Sequence, residues 1–344
     1  MIDSIQALHR IAGSEAEGQR AVDALERAQA LVGGALAELG SLVERLASGA
    51  PRPARDAIEH LIGAGGKRLR PLLTLLSARA AGGAAERAVR CAVAAELVHT
   101  ATLLHDDVID DGKFRRGRPA PRVLWGNTIS VLSGDLLLVA ALREIEHAPQ
   151  AARVELIDTM GQLVEGEVIQ LDHRGRLDLD AGVYERVIQL KTASLFCWCA
   201  RAGGHAGGAG PEQVKALGRF GRHVGMAFQL RDDVLDLWGD AARTGKTLAA
   251  DLAEGKLTLP VIIAMEREPG IREELQRLAR EPVRDPEDLA RVVEAAQRSG
   301  GLLLTQERMA RELQAAREAL APLPTSEAVE LLGSVADALN VRDH

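Results

Sequence analysis

Two short runs of carboxylates are the residues in this chain best suited to chemistry. Asp106-Asp107-Val108-Ile109-Asp110 is extended by Asp111, and Asp232-Asp233-Val234-Leu235-Asp236 repeats its pattern. With 21 aspartates in 344 residues, one Asp-Asp-x-x-Asp match is expected by chance about 0.08 times per chain, so a pair points to a purpose. At about 100° per residue, His99, Leu103, Asp106 and Asp110 fall on one helix face, and Gly225, Gln229, Asp232 and Asp236 fall on another. Each helix thus offers two carboxylates one turn apart. Both runs follow apolar stretches, Leu103-Leu104 and Met226-Ala227-Phe228, and burying a carboxylate without compensation is costly, so cations are expected beside them. An oxygen-only donor set with no Ca²⁺-loop spacing favours Mg²⁺, which joins a few carboxylates to phosphate oxygens. A solvated acidic face is the plainer reading of either run alone; the pair favours a metal and a diphosphate.

Cations are distributed as that reading requires. Gly65-Gly66-Lys67-Arg68-Leu69-Arg70-Pro71 sets basic residues in a glycine loop at a helix start, where amide N–H groups and the helix dipole also favour an anion. Lys113, Arg115, Arg116 and Arg118 follow the first acidic run, and Lys191-Thr192, Lys246 and Lys256 come later. Any one of these is ordinarily a solvated charge. Together with two acidic faces they predict a site for two diphosphates, one held through Mg²⁺ and one held directly. No Ser/His/Asp or Cys/His arrangement offers a nucleophile.

These groups must be positioned by helices. Hydrophobic residues make up 47% of the chain, yet it has only four Phe, three Trp and one Tyr, so the core is expected to be Leu, Ala, Val and Ile in helices. Helical periodicity predicts elements over 15–48 (bent near Gly33-Gly34), 54–62, 71–81, 86–111, 122–146, 151–173, 181–202, 211–238, 256–268, 286–299, 302–321 and 326–340. Asp180 stands at an N-cap position and Pro211 at a helix start. There is no alternating strand run, no repeat and no linker, so one all-α domain over 1–344 is expected. The net charge of −7 argues against nucleic acid as a partner. Three cysteines make no disulfide framework, and Cys197 and Cys199 are expected to be buried thiols. No secretory signal is visible at the start, and Asp135 and Pro260 interrupt the best apolar runs short of 18 residues. A cytoplasmic protein without a transmembrane segment is expected.

In order and spacing, several of these segments resemble the trans-polyprenyl diphosphate synthases. They are Gly65 to Pro71, His99 to Asp110, Arg115-Arg116-Gly117, Gly134-Asp135, Lys191-Thr192, Phe228 to Asp236 and Asp251 to Pro260. The resemblance covers about residues 50–270. It departs at Ala249, where that family more often has glycine. It implies an all-α isoprenoid-synthase fold, a single helical bundle around a deep cavity, and a homodimer that touches the membrane only transiently to release product. Carried over by position, Lys67, Arg70, His99 and Arg116 would bind isopentenyl diphosphate. Arg115, Lys191, Thr192, Gln229, Lys246 and Lys256 would hold the allylic diphosphate. Asp106, Asp110 and Asp232 would ligate three Mg²⁺ ions with the bound diphosphate, supported by Asp107, Asp233 and Asp236. Asp106, Asp110, Asp232, Arg115 and Lys191 would carry the chemistry, an ionisation, condensation and elimination.

Product length is expected to follow from the residues behind the first acidic run. In the family, bulky groups four or five places before the first aspartate close the tunnel; here those positions are Thr102 and Ala101, with Val98 a turn further back. None is aromatic, and a ring would block a tunnel sterically. A product of six to ten isoprene units is expected. A short-chain farnesyl or geranylgeranyl synthase is the alternative. A terpene cyclase is disfavoured by the second aspartate run, and a non-catalytic subunit by the intact aspartates and arginines.

Overall fold

The structure, a computed structural model, describes residues 15–66, 68–239, 249–280 and 286–340. Regular structure among them is almost entirely helical, as expected. In chain order it comprises α1 (Glu15–Leu31), α2 (Gly33–Ser48), α3 (Ala54–Gly63), α4 (Leu69–Ala80) and α5 (Val89–Ile109). A hairpin of β1 (Phe114–Arg115) and β2 (Arg118–Pro119) leads to α6 (Pro121–Ile145) and α7 (Gln150–Asp172). Then come α8 (Ala181–Ile188), a π turn (Gln189–Ala193), α9 (Ser194–Gly207), α10 (Pro211–Trp238) and the short α11 (Ala250–Ala253). The described chain closes with α12 (Leu259–Arg267), α13 (Pro269–Arg280), α14 (Pro286–Arg298), α15 (Gly301–Ala319) and α16 (Glu327–Asp337).

Local chemistry accounts for many of the boundaries. Pro121, Pro211 and Pro260 stand in first turns, where a missing N–H costs nothing. Asp180 caps α8 by accepting from Val183 N at 2.8 Å, and Ser326 caps α16 through Val329 N. Several boundaries differ from the periodicity. The first break falls at Val32, and α12 starts only at Leu259 because Pro260 requires a first-turn position. Helix α13 was not expected. Its alternation of charge and leucine on one face becomes a helix by burying Ile271, Leu275 and Leu278.

The residues divide into two compact units. The first takes the chain as far as Asp158, with Leu195–Gly221 and the segment from Arg317 on. At its centre is α5, apolar on every side, with Ala92, Val93, Leu97, Val98 and Ala101 fully buried and α4 and α6 packed against it. A helix enclosed in this way delivers its last turn, Asp106 to Ile109, at a fixed place. Helix α9 meets α4 through Gly203 and Gly207, whose α-carbons approach the carbonyls of Thr74 and Ala78 so closely that a β-carbon would sit 2.1 and 2.5 Å from them. Phe196, Trp198 and Phe220 supply the few large rings, and Trp198 Nε1 donates to Ala152 O at 2.9 Å.

The second unit comprises Thr159–Ser194 and Arg222–Ala316. Its core is α12, buried from Leu259 to Met265, against α8, α13 and α14.

Two expectations need correcting. Cys199 is buried but Cys197 is only half-buried, because the two lie on different sides of α9. Helix α6 is long and apolar enough to cross a membrane by length and composition, with a mean hydropathy of 1.5 over its best 18 residues and 22% of that window buried. Asp135 interrupts the run without bringing its average below that of a membrane span.

Candidate active site

In the first unit, the last turn of α5 separates two chemically identical neighbours. Asp106 and Asp110 are partly exposed, while Asp107 is fully buried. Asp107 Oδ1 accepts from Arg115 Nε at 2.8 Å and Nη2 at 2.5 Å, and the Gly112 amide donates to its carbonyl at 2.9 Å. These bonds fix the hairpin, in which Arg115 pairs with Arg118. Its two turn residues, Arg116 and Gly117, both have positive φ (53° and 73°), as a two-residue hairpin turn of the right-handed twist demands. The turn swings Arg116 back to the glycine loop, where Nη1 donates to the Gly65 carbonyl. A β-carbon on Gly66 would meet that guanidinium at 2.9 Å, so the glycine makes room for it.

Several cations gather there. The Arg70 guanidinium lies 4.4 Å over the Phe196 ring. His99 faces Arg70, Arg116 and Arg115; burial and then those three charges hold its imidazole well below the usual range, so it is neutral at pH 7. Glu96, one turn earlier, is pushed up by burial against the pull of Arg68, Arg116 and Arg70. The structure thus brings Arg70, His99, Arg115 and Arg116 together, with Arg68 and Glu96 among them; apart from its helical spacing from His99, nothing local marks Glu96. Lys113 and Arg118 are exposed and keep the solvated reading. Lys67 lies outside the described residues. Of the residues expected to set product length, Val98 and Ala101 are fully buried and Thr102 is half-buried, its hydroxyl donating to His99 O at 2.8 Å.

In the second unit the other acidic run is divided differently, since Asp236 is buried as well as Asp233. Asp232 is partly exposed. Asp233 is buried; Oδ2 accepts from the Tyr184 hydroxyl and Oδ1 from Gln229 Nε2 at 2.9 Å. Burial raises its carboxyl to about 8, against the hydrogen bonds from Tyr184 and Gln229. Asp236 accepts from the Ala250 and Asp251 amides at 3.1 and 3.3 Å, tying α10 to the start of α11. Ala249, beside that joint, has φ 56° and ψ 32°, a conformation that favours glycine.

The π turn inserts one residue between α8 and α9 and so re-aims Lys191 and Thr192. Thr192 Oγ1 donates to Gln229 Oε1 at 2.8 Å. Lys191 Nζ donates to Gln170 Oε1 at 2.8 Å and pairs with Glu167, two partners the spacing did not reveal. Gly166 on α7 lets the turn approach, since a β-carbon there would lie 2.7 Å from the Lys191 amide nitrogen. Lys256 pairs with Glu254 at 2.8 Å. Lys246 lies outside the described residues. Tyr184 also escaped the sequence reading, although being the single tyrosine of an aromatic-poor chain was a signal.

A family model described as Polyprenyl synthetase matches residues 52–296. The chain is 37% identical over 301 residues to the short chain isoprenyl diphosphate synthase of Methanothermobacter thermautotrophicus, over 86% of this chain and 92% of that protein. It is 37% identical over 285 residues to the octaprenyl diphosphate synthase of Escherichia coli, over 83% of this chain and 88% of that one. The crystal structure of a polyprenyl synthase from Caulobacter crescentus, complexed with calcium and isoprenyl diphosphate, aligns with a TM-score of 0.88 at 36% identity, over 93% of this chain and 98% of that one.

Proposed function

The chain belongs to the polyprenyl synthetase family, and on that premise we propose which of its residues do the work, which metal they hold and how long a product they release. It is a trans-polyprenyl diphosphate synthase, a prenyltransferase that condenses isopentenyl diphosphate with an allylic diphosphate. One observation carries the assignment of its metal site. In the first acidic run Asp107 is buried and bound by Arg115; in the second Asp233, bound by Tyr184 and Gln229, and Asp236, bound by the Ala250 and Asp251 amides, are buried; Asp106, Asp110 and Asp232 stay partly exposed. Asp106, Asp110 and Asp232 are the carboxylates assigned to metal.

The donor set fits Mg²⁺. It is all oxygen, and among the described residues no three His, Cys, Asp or Glu side chains close on one point. That suits an ion that keeps water and takes diphosphate oxygens beside one or two carboxylates. Held by Asp106, Asp110 and Asp232, three Mg²⁺ ions would supply Lewis-acid stabilisation of the diphosphate. Arg115, Lys191, Thr192, Gln229, Lys246 and Lys256 hold the allylic diphosphate and balance the charge that develops as its carbon–oxygen bond breaks. Lys67, Arg70 and Arg116 bind the diphosphate of isopentenyl diphosphate, and neutral His99 offers it an N–H donor. The isopentenyl double bond attacks the allylic cation, and the proton then lost passes to the released diphosphate. The apolar wall of α5 keeps water from the cation.

Residues 1–344 work as one all-α catalytic domain, and the product carries six to ten isoprene units. The partner is a second copy of the chain. Val131, Leu132, Leu136, Val139 and Leu142 form an exposed apolar stripe along α6, which a homodimer would cover.

Asp106→Asn and Asp232→Asn test the metal assignment. Each is expected to cut isopentenyl incorporation about a hundredfold or more while the unfolding temperature holds. Turnover within about twofold of the parent in either variant would overturn it.

A further inference from the structure

Tyr184 lies outside every motif named so far, yet its hydroxyl is spent inside the second acidic run. From the first turn of α8 it donates to Asp233 Oδ2. Asp233 Oδ1 is taken by Gln229 Nε2 at 2.9 Å, and Gln229 Oε1 by the Thr192 hydroxyl at 2.8 Å. Tyr184 and Thr192 thus clasp two residues one turn apart on α10. All four are buried or half-buried.

We infer that Tyr184 is a positioning residue that aims the second acidic run at its divalent cation; this rests on the metal reading of Asp232 proposed above. Asp232 and Asp233 are neighbours about 100° apart on one helix, so fixing the rotation of one fixes the other. With both oxygens engaged, Asp233 is withheld from metal and serves as the anchor. Without the hydroxyl, the Asp233 side chain is held by Gln229 alone, so it is free to turn toward another partner or to let the helix rotate. Either change displaces Asp232. The phenyl ring of Tyr184 is core; only the oxygen is needed for this task, and Tyr184→Phe removes it with little change of volume.

Two readouts separate positioning from mere stability. One is the Mg²⁺ concentration giving half-maximal turnover. The other is the rise in unfolding temperature produced by Mg²⁺ with inorganic pyrophosphate, which needs no catalysis. Tyr184→Phe is expected to move the Mg²⁺ midpoint upward about tenfold and to shrink the pyrophosphate-dependent rise, as loss of an outer-sphere partner does. The KM for isopentenyl diphosphate is expected to stay within about twofold, because Arg70, Arg116 and His99 belong to the other unit. Asp233→Asn can keep the clasp: the Tyr184 hydroxyl donates to the new amide oxygen, the amide donates to a reversed Gln229, and the Thr192 hydroxyl accepts. Its Mg²⁺ midpoint is expected to move at least about tenfold less than that of Asp232→Asn. A Tyr184→Phe midpoint within about twofold of the parent, with Asp232→Asn strongly shifted, overturns the role of Tyr184 alone. A wild-type response in Asp232→Asn overturns the metal reading beneath it. Should Tyr184→Phe not fold, the comparison still decides, since equal shifts in Asp233→Asn and Asp232→Asn would make Asp233 a ligand and not an anchor.

Discussion

Arg115 Nε lies 2.8 Å from Asp107 Oδ1, joining the hairpin to the last turn of α5 through a carboxylate with no exposed surface. Burial raises that carboxyl and the arginine pulls it back. The pair is asymmetric, because the arginine side chain keeps 27% of its surface and the aspartate none. Arg115→Met strands a buried carboxylate and is expected to cost about 3–5 kcal/mol. Asp107→Asn leaves an arginine that can reach water and is expected to cost about 1–2 kcal/mol. Urea unfolding of both variants checks the order; a costlier Asp107→Asn contradicts it.

Product length tests the tunnel behind the first acidic run. Ala101 is fully buried, so Ala101→Phe should shorten the product and also lose about 1–3 kcal/mol of stability through overpacking. Thr102→Phe starts from a half-buried position and should shorten the product with less disturbance. Chromatographic sizing of the products reads both. An unchanged length distribution, or a parent product of only three or four units, refutes the tunnel reading.

Ala249 occupies a conformation that an L side chain resists. Ala249→Gly is expected to raise stability by about 0.5–1 kcal/mol, the relief of the β-carbon clash less the added freedom of the unfolded chain. Thermal unfolding measures it, and a lower midpoint counts against strain at this joint.

Acid should weaken the fold at a known place. Burial would raise the Glu155 carboxyl, but hydrogen bonds from Arg201 (2.9 Å) and His205 (3.3 Å) outweigh it and bring it to about 2 from an ordinary 4.5. A carboxyl depressed on folding stabilises above its unfolded value, and that contribution disappears as pH falls from about 4.5 through about 2. Glu155→Gln is expected to lose about 1–3 kcal/mol at pH 7 and to approach the parent near pH 2. Equal losses at both pH values would assign the effect to packing.

The apolar stripe on α6 predicts the assembly. Leu132 and Val139 are 50% and 47% exposed, so Leu132→Glu with Val139→Glu should leave a folded monomer where the parent is a dimer. Light scattering on a sizing column distinguishes them; a parent that is monomeric at all concentrations removes the stripe from the interface.

What the sequence determined by itself was whatever is written locally. Helical periods follow from the spacing of Leu, Ala and Val, caps follow from Asp180 and Pro211, and the two Asp-Asp-x-x-Asp runs are visible as patterns because one turn of helix brings their members onto one face. The hairpin was hidden, since it depends on positive φ at Arg116, a residue type that seldom announces a turn. The division of labour within each acidic run was also hidden. Asp106 and Asp107 are the same side chain, as are Asp232 and Asp233, and nothing in their order says which is turned inward. That was decided by groups distant in the chain, Arg115 eight residues away, Tyr184 forty-nine. The same holds for Lys191, whose partners Glu167 and Gln170 approach only because Gly166 admits the π turn. A carboxylate's role is set by its desolvation and its donors, and both are properties of packing that no local spacing encodes.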